Sequence, residues 1–200
     1  MISAPVASPV LDQNGRRCEA LVKAALSYAA LGWHVLPGPV CDGLASWHPV
    51  TAEQLSSTEP TVSVEDATTD PDTIKRWWRR YPHTILAPAG DVFDVIRAPT
   101  PIAAPATAAM ASYENLGPVA VSADGTRFFV QPGSTLMPQL AGGRGMEISA
   151  AGSLIALPPS RVLFGVASWW IAPASTQGRL GDADSIQAAL YAAGLPLARS

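Results

Sequence analysis

Residues 70–82 encode both ends of a helix, and this segment limits the possible folds more than any other. Asp70 can accept backbone N–H bonds as an N-cap, Pro71 suits the first helical position, and Asp72 complements the positive helix end. Pro82 ends the helix, because a proline ring cannot be accommodated inside one without losing a bond. Between these marks Ile74, Trp78 and Tyr81 share one side, with Trp77 beside Ile74, while Lys75, Arg76, Arg79 and Arg80 occupy the rest. Two readings follow. The tryptophans are core and the cations are solvated, or the helix turns its cations to a polyanion.

The segments around this helix set the fold class. Apolar positions Leu21, Val22, Ala25, Leu26 and Ala29 keep a helical period over residues 17–31, and Gly32 supplies the stop. Residues 33–36 form a short apolar run bounded by Gly32 and Pro37, as in a buried strand. Residues 37–65 are rich in Pro, Gly and Ser and are expected to form a long loop with little regular structure. Residues 84–88 and 92–96 read as strands separated by Gly90-Asp91. Residues 102–115 are alanine-rich and helical, with Pro105 expected to break or delay the first turn. Strand-like runs follow at 119–122, 127–131, 146–149, 154–157 and 166–171, and a last helix spans 184–193, ended by Gly194. Helices early and late around a run of strands predict an α+β fold with a mixed or antiparallel sheet flanked by helices. Residues 1–15 lack periodicity and are expected to be a flexible arm, leaving 16–200 as a single domain.

Composition bounds the function classes. With 48% hydrophobic and 14% charged residues, the chain has the balance of a globular domain rather than a disordered one. The formal net charge of −3 gives the whole molecule no electrostatic attraction to nucleic acid, so any such binding must come from local basic patches. Cys18 and Cys41 lack metal-ligand spacing and read as free thiols in a reducing compartment. The start of the chain lacks the basic region and apolar core of a secretion signal. The apolar run 24–36 is too short, and too often interrupted, to span a bilayer. A cytoplasmic protein without membrane partners is expected.

Several segments, taken in order, resemble the bifunctional DNA primase/polymerase N-terminal domain of the archaeo-eukaryotic primase superfamily. Residues 24–37 are similar to that family's opening helix and strand. Asp66-Ala67-Thr68-Thr69-Asp70-Pro71 with the Trp77-Trp78 helix resembles its most recognisable segment. Val92-Phe93-Asp94-Val95 resembles the strand bearing its first metal-binding carboxylates. Gly145-Met146-Glu147-Ile148 and the run ending in Pro158-Pro159-Ser160 resemble its closing region. The resemblance covers about residues 20–160. It implies nucleotidyl transfer assisted by Mg²⁺ or Mn²⁺, with an Asp-X-Asp pair on one strand, a Ser-X-His element on the incoming triphosphate and a further carboxylate on a later strand.

The chain departs from that pattern where the chemistry is concentrated. Asp94 fills the first carboxylate position, but its same-face partner is Ile96, which has no lone pair. Asp91, three residues away, faces the other side. Thr126 stands where the family has its histidine. The neighbouring Arg127 could bind phosphate, although alternation sends it to the opposite face. Glu147 is the later carboxylate. Asp94 and Glu147 together could hold one weakly bound cation, or Asp94 could pair with Arg97 or Arg144. Gly142-Gly143-Arg144-Gly145 reads either as a phosphate cradle using Arg144 or as a strand connection. His48, in Trp47-His48-Pro49, resembles the family's substrate-side loop and is a candidate nucleotide contact with Arg76, Arg79 and Arg80. Of Trp169 and Trp170, alternation places one ring in the core, expected against the final helix, and the other at the surface.

The expectation is a primase/polymerase-like domain, catalytically impaired, that retains nucleotide or DNA binding in a regulatory or replication-associated role. Its expected partners are DNA, a nucleoside triphosphate or another protein. The alternative is an active metal-dependent nucleotidyltransferase in which Asp91, Asp124 or Glu147 rebuilds the carboxylate site.

Overall fold

The structure, a computed structural model, describes residues 9–110, 115–141 and 145–195, with side chains from residue 14 onward. Helix α1 (Pro9–Ala29) opens the chain, and Leu21, Ala25 and Tyr28 bury one stripe of it. It starts inside the stretch expected to be an arm. Pro9 has the backbone angle of a first helical turn, and Gly15 weakens a long helix without ending it. Residues 1–8, the rest of that expected arm, lie outside the described residues.

The next segment departs most from expectation. After β1 (Leu36–Pro37) come β2 (Val40–Cys41), β3 (Ser46–Trp47) and β4 (Gln54–Leu55), which pair antiparallel as a small sheet inside the expected loop. Strands of two residues are too short to show an alternating period. Helix α2 (Pro71–Trp77) then begins on the Asp70 cap, whose carboxylate accepts the Thr73 N–H at 2.8 Å. β5 (Ile85–Pro88) and β6 (Asp94–Ala98) follow, turning through Gly90, whose φ is +100°. A β-carbon at Gly90 would lie 2.4 Å from the Ala151 backbone, so only glycine fits there.

Helix α3 (Thr100–Met110) contains Pro105 without breaking. The missing N–H costs one bond, to the Pro101 carbonyl, early in a helix whose next turns are packed. The chain continues through β7 (Val119–Ser122), β8 (Gly125–Val130), the single turn α4 (Pro138–Ala141), β9 (Glu147–Ser149) and β10 (Leu154–Leu157). It finishes with β11 (Arg161–Val162), β12 (Gly165–Val166), β13 (Ser168–Ile171) and α5 (Ala183–Ala193).

The main sheet has strand order β13-β7-β8-β6-β9, and every neighbouring pair is antiparallel. A second sheet, β1-β5-β10, is also antiparallel. The expected α+β class, with an antiparallel sheet flanked by helices, is what the chain adopts.

Strand alternation sends the two faces of the main sheet into separate cores. Ile96, Ala98, Phe128 and Val130 pack beneath α3, α4 and α5. Val95, Ala120 and Phe129 pack against α1, α2 and the second sheet. Trp33 centres this second core, stacking on Phe129 at 5.4 Å and on Tyr28 at 5.8 Å. Trp169 joins it, 5.1 Å from Phe129, so the inner ring of the Trp169-Trp170 pair meets the aromatic cluster and not the final helix as expected. Trp170 faces outward, half exposed. Among the described residues no helix is long and apolar enough to cross a membrane.

Candidate nucleic-acid interface

Helix α2 packs its apolar side into the core and leaves its cations in solvent. Ile74 and Trp78 are fully buried, and the Trp78 indole N–H donates to the His83 carbonyl at 2.8 Å. Lys75, Arg76, Arg79 and Arg80 are all exposed. Lys75 pairs with Asp72 at 3.2 Å, Arg76 donates to the Thr73 hydroxyl, and the Arg80 guanidinium lies 5.5 Å from the centre of the Tyr81 ring. Arg79 forms no ion pair within the described residues and reaches a groove of 580 Å³ between α1 and α2, shared with Cys18, Lys23, Lys75 and Trp78. The α1–α2 side therefore carries solvated cations over a rigid apolar base. Lys23 was not singled out from sequence, because a lone lysine in an alanine-rich helix gives no pattern until α2 packs beside it.

Helix α2 ends at Trp77, and residues 78–80 turn before Pro82. His48 sits in the β3–β4 turn, where its Nδ1 accepts the Thr51 N–H at 3.1 Å and the Val50 N–H at 3.3 Å. One ring nitrogen thus holds the turn and the other is left for contact. His83 is buried, with its Nδ1 2.8 Å from the Gly38 carbonyl. Burial pushes its pKa below the ordinary histidine value, and the nearby His48 adds to the shift.

On the main sheet the register separates the residues that a cation would need together. Asp94 and Ile96 point to the α3–α5 side and both are completely buried. The Asp94 Oδ2 accepts the Ser134 N–H at 3.0 Å, so Asp94 pairs with backbone and not with Arg97 as sequence allowed. Arg97 lies opposite Glu147 across β6 and β9 and forms an ion pair with it at 2.7 Å, which places Glu147 on the other face from Asp94. Asp124 is held by Arg127 at 2.6 Å, and its carbonyl accepts from Arg97 at 2.9 Å. Asp91 is exposed in the turn before β6.

The residues present do not fit the divalent cation that the resemblance implies. Among the described residues Asp94 offers one buried oxygen without a partner, beside an aliphatic neighbour, while Glu147 pairs with Arg97 across the sheet and Asp124 with Arg127 three residues along its own turn. No group of three His, Cys, Asp or Glu among the described residues could hold a metal. The register keeps Asp94 and Glu147, the pair expected to hold a weak cation or none, on opposite faces of the sheet.

The expected phosphate contacts on β8 are separated in the same way. Thr126 is buried on the α3–α5 face, and its hydroxyl has no partner among the described residues. Arg127 does face the opposite side, but its guanidinium is mostly buried, donating to Asp124 and Ser122. Burial lowers its pKa, Asp124 counteracts this, and the neighbouring Arg97 adds to the lowering. Arg144 and most of the glycine run 142–145 lie outside the described residues.

The family model for the bifunctional DNA primase/polymerase N-terminal domain matches residues 25–181. No curated protein and no solved structure matches the chain.

Proposed function

This chain belongs to the bifunctional DNA primase/polymerase N-terminal family, and from that membership we propose that it binds nucleic acid without polymerising it. The observation that carries the reading is the state of β6. Its cation-facing positions, Asp94 and Ile96, are sealed under α3 and α5, and the later carboxylate Glu147 lies on the far face in an ion pair. Removing one carboxylate ligand from a two-cation site typically costs three to five decades of rate, roughly. A site with no two carboxylates facing each other falls further.

Binding would be carried by the exposed cations of α2 and of the turn that follows it, above all Arg79 and Arg80, with Lys23 of α1 beside them. Guanidinium and ammonium groups on a rigid helix attract phosphates and release condensed counterions, which makes the affinity salt-dependent. His48, with one ring nitrogen uncommitted, is the added contact on the β3–β4 turn. Such a domain would act in replication or its regulation by occupying DNA, a nucleotide or a protein partner.

Primer extension tests the catalytic half. No synthesis is expected with Mg²⁺ or Mn²⁺, and robust synthesis lost in Asp94→Asn would favour an active enzyme with a rearranged site. Salt titration of oligonucleotide binding tests the other half. Arg79→Gln with Arg80→Gln should reduce the slope of log affinity against log salt by about 2. An unchanged slope would remove Arg79 and Arg80 from the interface.

A further inference from the structure

Two hairpins project apolar side chains into water beside cations that form no ion pair within the described residues. Leu44, at the β2–β3 tip, is 81% exposed and Phe164, at the β11–β12 tip, is 77% exposed. The tips are bonded to each other, the Phe164 N–H donating to the Gly43 carbonyl at 2.7 Å. The Asp42 carboxylate is turned into its own loop, accepting the Leu44 and Ala45 N–H groups at 2.7 and 2.8 Å, so it fixes the tip that presents Leu44.

Phe164 holds a left-handed backbone, φ +62°, which a bulky residue adopts only against a steric penalty and glycine adopts freely. Its ring is largely in water, so it recovers little of that penalty by packing. Single exposed apolar residues are ordinary. A strained aromatic locked beside a second apolar tip asks for a reason outside the folded chain.

The charges next to these tips point to an anion. Arg17 of α1 donates to the Cys41 carbonyl at 3.3 Å and Arg161 of β11 to the Asp42 carbonyl at 3.1 Å, so two guanidiniums converge on consecutive residues of one loop. Neither forms an ion pair within the described residues. Burial first and the neighbouring Arg161 charge second lower the Arg17 pKa. Arg17 also neighbours Cys18, which lines the groove under Lys75 and Arg79.

We propose that the Leu44 and Phe164 tips, with Arg17 and Arg161, form a docking surface for single-stranded nucleic acid, an unpaired base stacking on Phe164 while the adjoining phosphates meet the two guanidiniums. The proposal rests on the nucleic-acid-binding reading above and assigns it a second contact. A duplex hides the faces of its bases, whereas a single strand offers flat rings and phosphates together, matching an aromatic beside arginines. An acidic peptide shares the charge but has no flat ring at every residue.

The test uses the full chain and fluorescence anisotropy with a labelled 20-nucleotide oligo-dT and a duplex of equal length. The single strand should bind more tightly than the duplex. Phe164→Gly should weaken it about tenfold, the scale of one lost stacking contact. That variant should keep or raise the melting temperature, because glycine relieves the strained φ, which separates lost contact from lost fold. Arg17→Gln with Arg161→Gln should reduce the salt slope by about 1.4, the single-strand value for two phosphates.

Unchanged affinity in these variants, with weakening only in Arg79→Gln and Arg80→Gln, would overturn the hairpin surface and leave the α2 reading standing. No binding of either oligonucleotide by the unaltered chain would overturn both. A labelled acidic peptide that binds in a Phe164-dependent way, where oligo-dT does not, would replace the nucleic acid by a protein partner and overturn the proposal.

Discussion

Thr126 and Asp94 each bury an oxygen that finds no hydrogen-bond partner among the described residues, and the two oxygens have different consequences. The Thr126 hydroxyl has lost water without replacement, at a site walled by apolar side chains. Thr126→Val keeps the branched shape favoured in a strand and removes the stranded hydroxyl, so it should stabilise the fold by about 1 kcal/mol in urea denaturation. A comparable loss instead would mean that the hydroxyl has a partner. Asp94 keeps one bond, to the Ser134 N–H, and Asp94→Ala would strand that donor and leave a void. The expected cost is about 1–3 kcal/mol, with oligonucleotide binding unchanged. Alternation alone placed Asp94 with Ile96 and set Thr126 against Arg127, and those relations hold. Which face meets α3 and α5 was not legible, because Val95 and Ile96 are equally apolar and the positions of those helices are set by contacts distant in sequence. The Arg97–Glu147 pair was hidden for the same reason: it depends on the register between β6 and β9, fifty residues apart.

At the scale of elements, legibility followed the strength of the local signals. The Asp70-Pro71 start of α2 was readable because a cap and a proline act through the backbone next to them, and β7 and β10 lie at their expected bounds. The sheet of β2, β3 and β4 was not readable, nor was the surface at Leu44 and Phe164, since two-residue strands and isolated tips carry no period. Contacts between elements were equally unmarked. Tyr28 of α1 donates to the Pro158 carbonyl and accepts from the Trp169 indole at 2.8 Å, joining a helix, a turn and a strand through one hydroxyl. Burial pushes that phenol up to about 12, so it stays protonated throughout the neutral range. Tyr28→Phe keeps the ring stacked on Trp33 and deletes the link. It should cost about 1–3 kcal/mol, the penalty for stranding two buried polar groups. A change below that in a denaturant midpoint would mean that water replaces the hydroxyl.

For the whole molecule, stability in mild acid should depend on His83, which lies where separate parts of the chain meet. Its ring faces the Gly38 carbonyl between β1 and β2, and its own carbonyl receives the Trp78 indole N–H from the end of α2. Because Gly38 supplies an acceptor, Nδ1 must carry the proton, and the neutral ring meets that need. Burial first, and the nearby His48 second, hold its folded pKa below the ordinary value, although the Gly38 bond pulls the other way. A group with a lowered folded pKa takes up protons more readily when the chain is unfolded. Its contribution is therefore present in full above the unfolded value of about 6.5 and is lost as pH falls through that value toward the folded one. The exposed carboxylates with lowered pKa values, Asp70 and Asp182, each held by a cap bond, lose their contribution in a separate and more acidic window. Melting temperature should thus fall as pH drops below about 6.5, before those carboxylates protonate. His83→Asn, which can still offer an N–H toward Gly38, should flatten that fall while leaving the lower-pH loss in place. A wild-type profile already flat in that range would mean that His83 is as easily protonated in the folded chain as in the unfolded one, and that the junction it occupies is open to water.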